Sequence, residues 1–208
     1  MSTTLIINAG EFSPIPQDLE YDYVIACDAG YDNACKLGIK PDFIIGDFDS
    51  YKGDPDKDIA DIPVKKFDVM KDDTDCMLAI KHAIRHGATK IILACSLGGR
   101  IDHIMANIQS MSYVAARGLV CELYSDTEYM VILNNGEISL PAEEGYAFSV
   151  FALSDYVKGL TIKGSLYNVK DYTLENTFPL GLGNSWVEDN AIISAREGQL
   201  LVIKSKLN

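Results

Sequence analysis

Through the first half of the chain, short apolar runs alternate with amphipathic stretches. Residues 5–8, 23–27, 43–45 and 90–95 are runs of a strand's length, hydrophobic at nearly every position, the pattern of strands buried on both faces. Between them lie helical patterns. Residues 31–37 form a short one that Gly38 stops; residues 74–86 carry Met77, Ile80 and Ile84 at helical spacing and end at Gly87. A further helix follows Gly98-Gly99, with Ile104, Ile108, Met111 and Ala115 on one face and Gly118 at its end. An acidic, proline-containing stretch over 54–63 precedes a short strand over 64–67. Strands alternating with helices at these lengths predict an α/β domain, a mostly parallel sheet with helices on both faces.

Past residue 121 the texture changes. Residues 120–124, 129–133, 137–140, 146–153 and 159–162 read as strands separated by Gly, Asn and Asp turns. Asn134-Asn135-Gly136 is a hairpin signal, and Arg196-Glu197-Gly198 joins strands 191–195 and 199–203 as a closing hairpin. With no long helical pattern among them, these strands predict a C-terminal antiparallel β-sandwich. The expected domains are 1–127 and 128–208.

Charge narrows the partners. Eighteen Lys and Arg against 30 Asp and Glu give a formal net charge of −12 over 208 residues. Such a surface does not bind nucleic-acid phosphate or an anionic bilayer through basic charge, and suits a cationic or metal-bridged ligand. No apolar run reaches the length of a membrane span. Met1-Ser2-Thr3-Thr4 has no basic character and runs into only three apolar residues, so a cytoplasmic location is expected. Cys27, Cys35, Cys76, Cys95 and Cys121, odd in number and without a Cys-x-x-Cys pair, read as buried free thiols of a reducing compartment. His82 and His86, four apart with no third ligand, read as part of a solvated polar helix face.

The placement of the aspartates carries the chemistry. Cys27-Asp28-Ala29-Gly30 ends one strand and Gly46-Asp47-Phe48-Asp49-Ser50 the next; Lys71-Asp72-Asp73-Thr74-Asp75 precedes a helix; Gly98-Gly99-Arg100-Ile101-Asp102-His103 follows another strand. In an open parallel sheet the loops at the carboxyl ends of strands converge on one crevice, where ligands bind. Carboxylates crowded there repel unless a cation is present. Magnesium resolves this, taking one or two carboxylates, waters and the oxygens of a substrate phosphate. Gly98-Gly99-Arg100 supplies the other half: glycines let the backbone approach an anion, the following helix offers unpaired N–H groups, and Arg100 presents a planar fork. Neither a Gly-x-x-x-x-Gly-Lys-Ser/Thr loop nor a Gly-x-Gly-x-x-Gly is present. The residues alone describe a magnesium-dependent enzyme acting on a nucleotide polyphosphate.

The three aspartate motifs, with Asn107 one turn after His103, closely resemble those of thiamine pyrophosphokinases in order and spacing. The resemblance implies transfer of diphosphate from ATP to the thiamine hydroxyl with release of AMP, an ATP- and magnesium-binding α/β domain, a thiamine-binding β-sandwich and a homodimer. Carried over by motif, Asp47, Asp49, Asp73, Asp75 and Asp102 become the catalytic candidates, the first four also as magnesium ligands, with Asp102 or Asp73 as base. Asp28, Gly98, Gly99, Arg100, His103 and Asn107 fall on the nucleotide side, although Asp28 also suits a helix cap and His103 a local hydrogen bond. Asn184, Ser185 and Trp186 resemble the thiamine-contacting segment, Trp186 serving equally as a core anchor. Tyr167-Asn168 stands where the family usually has Tyr-Pro. The rival readings are a diphosphokinase or kinase for another small alcohol, and a nucleotide or thiamine sensor without turnover.

Overall fold

The computed structural model describes residues 2–46, 62–65 and 73–207. The chain divides into two compact units, Met1–Ser110 with Leu119–Asp126, and Met111–Gly118 with Thr127–Asn208.

In the first unit, strands β1 (Ser2–Ile7), β2 (Tyr23–Cys27), β3 (Phe43–Ile45), β4 (Val64–Lys65), β5 (Ala88–Ala94) and β6 (Val120–Tyr124) lie in the order β6-β5-β1-β2-β3-β4. Every registered pair among them is parallel, with Leu5 opposite Val24 on one side and Ile92 on the other. Leu5, Ile6 and Ile7, like Ile91, Ile92 and Leu93, are fully buried in succession, so neither face of the sheet meets solvent there. β1 starts three residues before the apolar run: Ser2, Thr3 and Thr4 pair with β5 through backbone groups that any side chain supplies. The strand expected over 64–67 is Val64–Lys65 in the described residues; residues 66–67 and the acidic run lie outside them.

Helix α1 (Gly30–Leu37) ends at Gly38, whose positive φ of 72° is the left-handed cap that glycine favours. In α2 (Asp75–Arg85), the Thr74 hydroxyl caps the start by accepting from the Met77 N–H at 3.1 Å. Its buried face is Cys76, Ala79, Ile80 and Ala83 with Leu78, and not the expected Met77–Ile80–Ile84 stripe: Met77 and Ile84 are half-buried flanks. Its histidine face is solvated in part, at the exposed His86. The half-buried His82 ring stacks on Phe43 at 4.2 Å and on His86 at 4.0 Å, using the ring faces as apolar surface. Helix α3 (Ile101–Ala115) buries Met111, Val114 and Ala115, while Ile104 and Ile108 are only partly covered.

Among the described residues the regular elements of the second unit are strands, apart from the end of α3. β7 (Glu128–Asn134), β9 (Tyr146–Ala152), β12 (Gly181–Asn184) and β14 (Gln199–Lys206) lie in the order β12-β9-β14-β7. β8 (Glu137–Pro141), β10 (Tyr156–Lys163), β11 (Val169–Glu175) and β13 (Asn190–Ser194) form another antiparallel sheet, β11-β10-β13-β8. One cluster, including Phe148 and Leu200 from the first set and Leu160 and Ile193 from the second, makes its core. The two expected hairpins are corrected by this topology. Asn134-Asn135-Gly136 and Arg196-Glu197-Gly198 both carry the chain from one sheet to the other, and the Asn135 side chain accepts from the Gly198 N–H at 2.9 Å. β11 and β12 were not expected: the first is a largely exposed edge strand without alternation, the second half glycine.

Of the five cysteines, four are buried and Cys35 is exposed, which corrects the expectation of five buried thiols. Burial pushes the Cys76 thiol up to about 11, and Cys121 also rises. Since the thiolate is the reactive form, titration with a thiol reagent at pH 8 should consume one thiol per native chain and five after denaturation, and none in native Cys35→Ser. Rapid reaction of a second native thiol would contradict the burial.

Candidate functional site

The strand order of the first unit reverses beside β1: the chain steps from β1 through β2 and β3 to β4, then returns to place β5 on the other flank of β1. The carboxyl ends of β1 and β5 therefore open the kind of crevice where ligands bind in such sheets. A cavity of about 720 Å³ lies there, and its lining draws on Asn8 after β1, Asp28 after β2, Asp75 and Cys76 at the start of α2, and Ser96, Gly98, Gly99, Arg100, His103 and Asn107 from the β5–α3 segment.

Its base is a polar network. The buried Asn8 donates to the Ser96 hydroxyl at 2.7 Å, and Asn107 donates to the Ser96 carbonyl at 2.8 Å. Buried Asn33 donates to the carbonyls of Asn8 and Gly10, both at 3.0 Å, and so fixes the turn after β1. Because each of these donors is satisfied within the chain, the network holds shape at little cost in desolvation.

Asp28 is 8% exposed and takes a left-handed backbone with φ of 47°. The N-cap position of α1 is Ala29, and the Asp28 carbonyl accepts from the Tyr31 N–H at 3.1 Å. Gly46 makes this arrangement possible: a Cβ there would stand 2.8 Å from the Asp28 Cα and 2.9 Å from its Cβ. Close backbone approach, and not backbone conformation, is what glycine supplies at that place.

The nucleotide-side candidates Asp28, Gly98, Gly99, Arg100, His103 and Asn107 all line this one cavity, and so does Asp75. Asp73 does not: its carboxylate takes two bonds from Lys81 Nζ, at 2.7 and 2.9 Å. Asp102 is exposed and forms a two-point ion pair with Arg100, in which Arg100 Nε donates to Oδ1 at 3.0 Å and Nη2 to Oδ2. Hydrogen bonding to that guanidinium holds the Asp102 carboxyl below its ordinary value. Asp47, Asp49 and Asp72 lie outside the described residues. Among the described residues no three His, Cys, Asp or Glu side chains gather closely enough to hold a metal ion.

The family model for the thiamin pyrophosphokinase catalytic domain matches residues 19–123. The chain belongs to the thiamine pyrophosphokinase family. A thiamine pyrophosphokinase from Bacillus subtilis (strain 168) is 26% identical over 213 residues, covering 99% of each chain. A crystal structure of the thiamine pyrophosphokinase from Bacillus subtilis shares the fold at a TM-score of 0.88, with 24% identity and 99% coverage of both chains. That of the thiamin pyrophosphokinase from Candida albicans does so at a TM-score of 0.80 and 13% identity, over 99% of this chain and 89% of its own.

The matched catalytic region starts after β1, so the family signal omits Asn8 and Glu11, two cavity residues that the motif reading also passed over. The strand-end rule applied to Asp28, Asp47 and Gly98 applies equally to Asn8, the polar residue closing Leu5-Ile6-Ile7, and would have found it.

The thiamine candidates Asn184, Ser185 and Trp186 lie in the second unit. Asn184 is buried, and its side chain is saturated: Oδ1 accepts from the N–H groups of Tyr167 and Ser185, and Nδ2 donates to the Ser165 hydroxyl and the Tyr167 carbonyl. The Trp186 indole N–H donates to the Leu140 carbonyl at 3.0 Å, and its ring tilts against Phe148 with centroids 5.0 Å apart. Trp186 is thus a half-buried anchor on the core with its polar handle already used.

Two substitutions follow from this packing. Trp186→Ala should lower the unfolding free energy by roughly 3 kcal/mol, the scale of large-to-small core changes, as read by urea denaturation; a loss below about 0.5 kcal/mol would remove its anchoring role. Gly46→Ala should displace Asp28 and weaken ligand binding in the cavity more than it lowers the melting temperature, measured by calorimetry and thermal denaturation on the same sample.

Proposed function

We propose that this chain transfers the diphosphate group of ATP to the primary hydroxyl of thiamine, giving thiamine diphosphate and AMP. The observation that carries the reading is the cavity at the carboxyl ends of β1, β2 and β5, where a glycine turn, Arg100 and the carboxylates of Asp28 and Asp75 converge in a member of this family. The thiamine hydroxyl oxygen bonds to the β-phosphorus, the bond from that phosphorus to the α–β bridging oxygen breaks, and AMP leaves with the electron pair. Two charged phosphoryl groups move together, so positioning and charge stabilisation supply most of the catalysis.

Each group has a task in this proposal. Gly99 and the start of α3 turn backbone N–H groups toward phosphate oxygens. Arg100 offers its fork to the same oxygens, and Asp102, held ionised beside it, orients that fork and is a poor acceptor for the hydroxyl proton. Asp73, held by Lys81 beside the cavity lining, is the other base candidate where magnesium does not claim it. Oxygen donors of the Asp28 and Asp75 type suit magnesium, which takes few carboxylates and completes its shell with water and phosphate. The proposed ligands are Asp47, Asp49, Asp73 and Asp75. Magnesium, when bound, neutralises the charge of the polyphosphate.

The proposed division of labour gives residues 1–127 to ATP and magnesium and residues 128–208 to thiamine and dimerisation. Ser185 and the outer flank of Trp186 are the thiamine contacts, and saturated Asn184 shapes the turn that presents them. The exposed Leu166, Tyr167, Phe178, Leu180, Leu182 and Val187, all from the second unit, support a homodimer by the apolar area they would otherwise leave in water. The finer architecture proposed is a parallel sheet with helices on both faces and a sandwich of the two second-unit sheets, supported by their shared core cluster. Among the described residues no helix is long and apolar enough to cross a membrane, and a cytoplasmic location is proposed.

Phosphorus NMR of the protein with ATP, magnesium and thiamine should show AMP and thiamine diphosphate rising together, and Asp75→Asn should lower kcat at least about 100-fold. ADP as product would mean single phosphoryl transfer. Turnover with another alcohol but not thiamine would reassign the acceptor.

A further inference from the structure

The glycine turn that the proposed function gives to phosphate is already engaged by the chain. The Gly99 N–H donates to Glu11 Oε1 at 3.1 Å. The contact is built from below. The loop after β1 is bonded along the segment after β5, by Asn8 N–H to the Ala94 carbonyl at 3.0 Å, Gly10 N–H to the Cys95 carbonyl at 2.9 Å and Glu11 N–H to the Leu97 carbonyl at 3.0 Å. These bonds continue the β1–β5 ladder past both strands and deliver Glu11 to one place.

Gly98 completes the fit. Its φ is 80°, and a Cβ on it would meet Glu11 Cδ, Cγ and Cβ at 2.4, 2.5 and 2.6 Å, so the whole Glu11 side chain lies over the turn. Beside it, Arg100, the neighbouring phosphate donor, is engaged by Asp102. Two carboxylates of the chain therefore take the donors that polyphosphate oxygens would use. Asp102 belongs to the motif read from the sequence; Glu11 belongs to none.

We propose that Glu11 is an internal competitor for the phosphate-binding turn, a carboxylate that takes the Gly99 N–H and must be displaced when the polyphosphate of a nucleotide binds. The proposal rests on the reading of this cavity as the ATP site. A carboxylate and a phosphate oxygen cannot share one N–H, and their like charges repel at contact distance. Displacement costs the nucleotide the charge-assisted bond that Glu11 gives up. In return, the empty turn, whose N–H groups attract any anion, stays screened from inorganic phosphate and other small anions that cannot bind at several points at once.

The test is equilibrium binding of ATP and of inorganic phosphate to the full chain by isothermal titration calorimetry, with and without magnesium, for wild type, Glu11→Gln and Glu11→Asp. Glutamine keeps the shape and loses the charge; aspartate keeps the charge and loses the reach. The expected result is a fall in Kd for ATP of about two- to tenfold in both variants, present without magnesium, with a larger proportional gain for inorganic phosphate. A higher Kd for ATP in both variants, confined to magnesium-containing buffer, would make Glu11 a metal-side ligand and overturn the proposal. Equal, measurable Kd values in all three proteins would overturn it and leave the ATP site standing. Absence of ATP binding in all three would overturn both.

Discussion

The pairing of β1 with β5 is the contact on which the rest of the first unit depends. It places two chain segments about 80 residues apart in sequence side by side, and it creates the reversal of strand order that opens the crevice at their carboxyl ends. The pairing does not stop where the strands do. Hydrogen bonds from residues 8, 10 and 11 to residues 94, 95 and 97 extend it into the loops. Binding groups carried by those loops are consequently held with the stiffness of a sheet, while Asn33 and Asn107 tie the flanking helices to the same backbone.

Electrostatics at that crevice oppose one another by design of the topology. Strand ends deliver carboxylates, and the start of α3 delivers backbone donors and Arg100. The two sets satisfy each other, Asp102 on Arg100 and Glu11 on Gly99. Carboxylates that share a site with donors in this way lose little by remaining ionised, which is why a chain of formal charge −12 can gather them beside one cavity.

Much of this was legible in the residues. Buried parallel strands declare themselves as unbroken apolar runs, and β1, β2, β3 and β5 all do, to within a few residues at their ends. The aspartate motifs pointed to one crevice because strand ends in such sheets share an edge, and Asp28, Asp75, Gly98 and Arg100 do share one. Less legible was anything decided by tertiary partners. A turn sequence such as Asn134-Asn135-Gly136 fixes that the chain bends, not which sheet receives it. β11 has no alternation to read because its side chains mostly face water, and the α2 burial face depends on which strands it lies against. For Trp186 the residue type suits ligand and core alike, and its bond to Leu140 and its packing on Phe148 depend on strands far from it in sequence.

The place of β14 has a bearing on how the second unit is made. It lies between β7 and β9, registering with one from Gln199 to Ser205 and with the other from Leu200 to Lys206. Both neighbours leave the ribosome long before it, and neither has its inner ladder satisfied until it arrives. During synthesis the unit holds two open strand edges facing the same slot, the geometry that invites pairing with a second nascent chain. β14 acts as a keystone: the order β12-β9-β14-β7 closes only once it is in place.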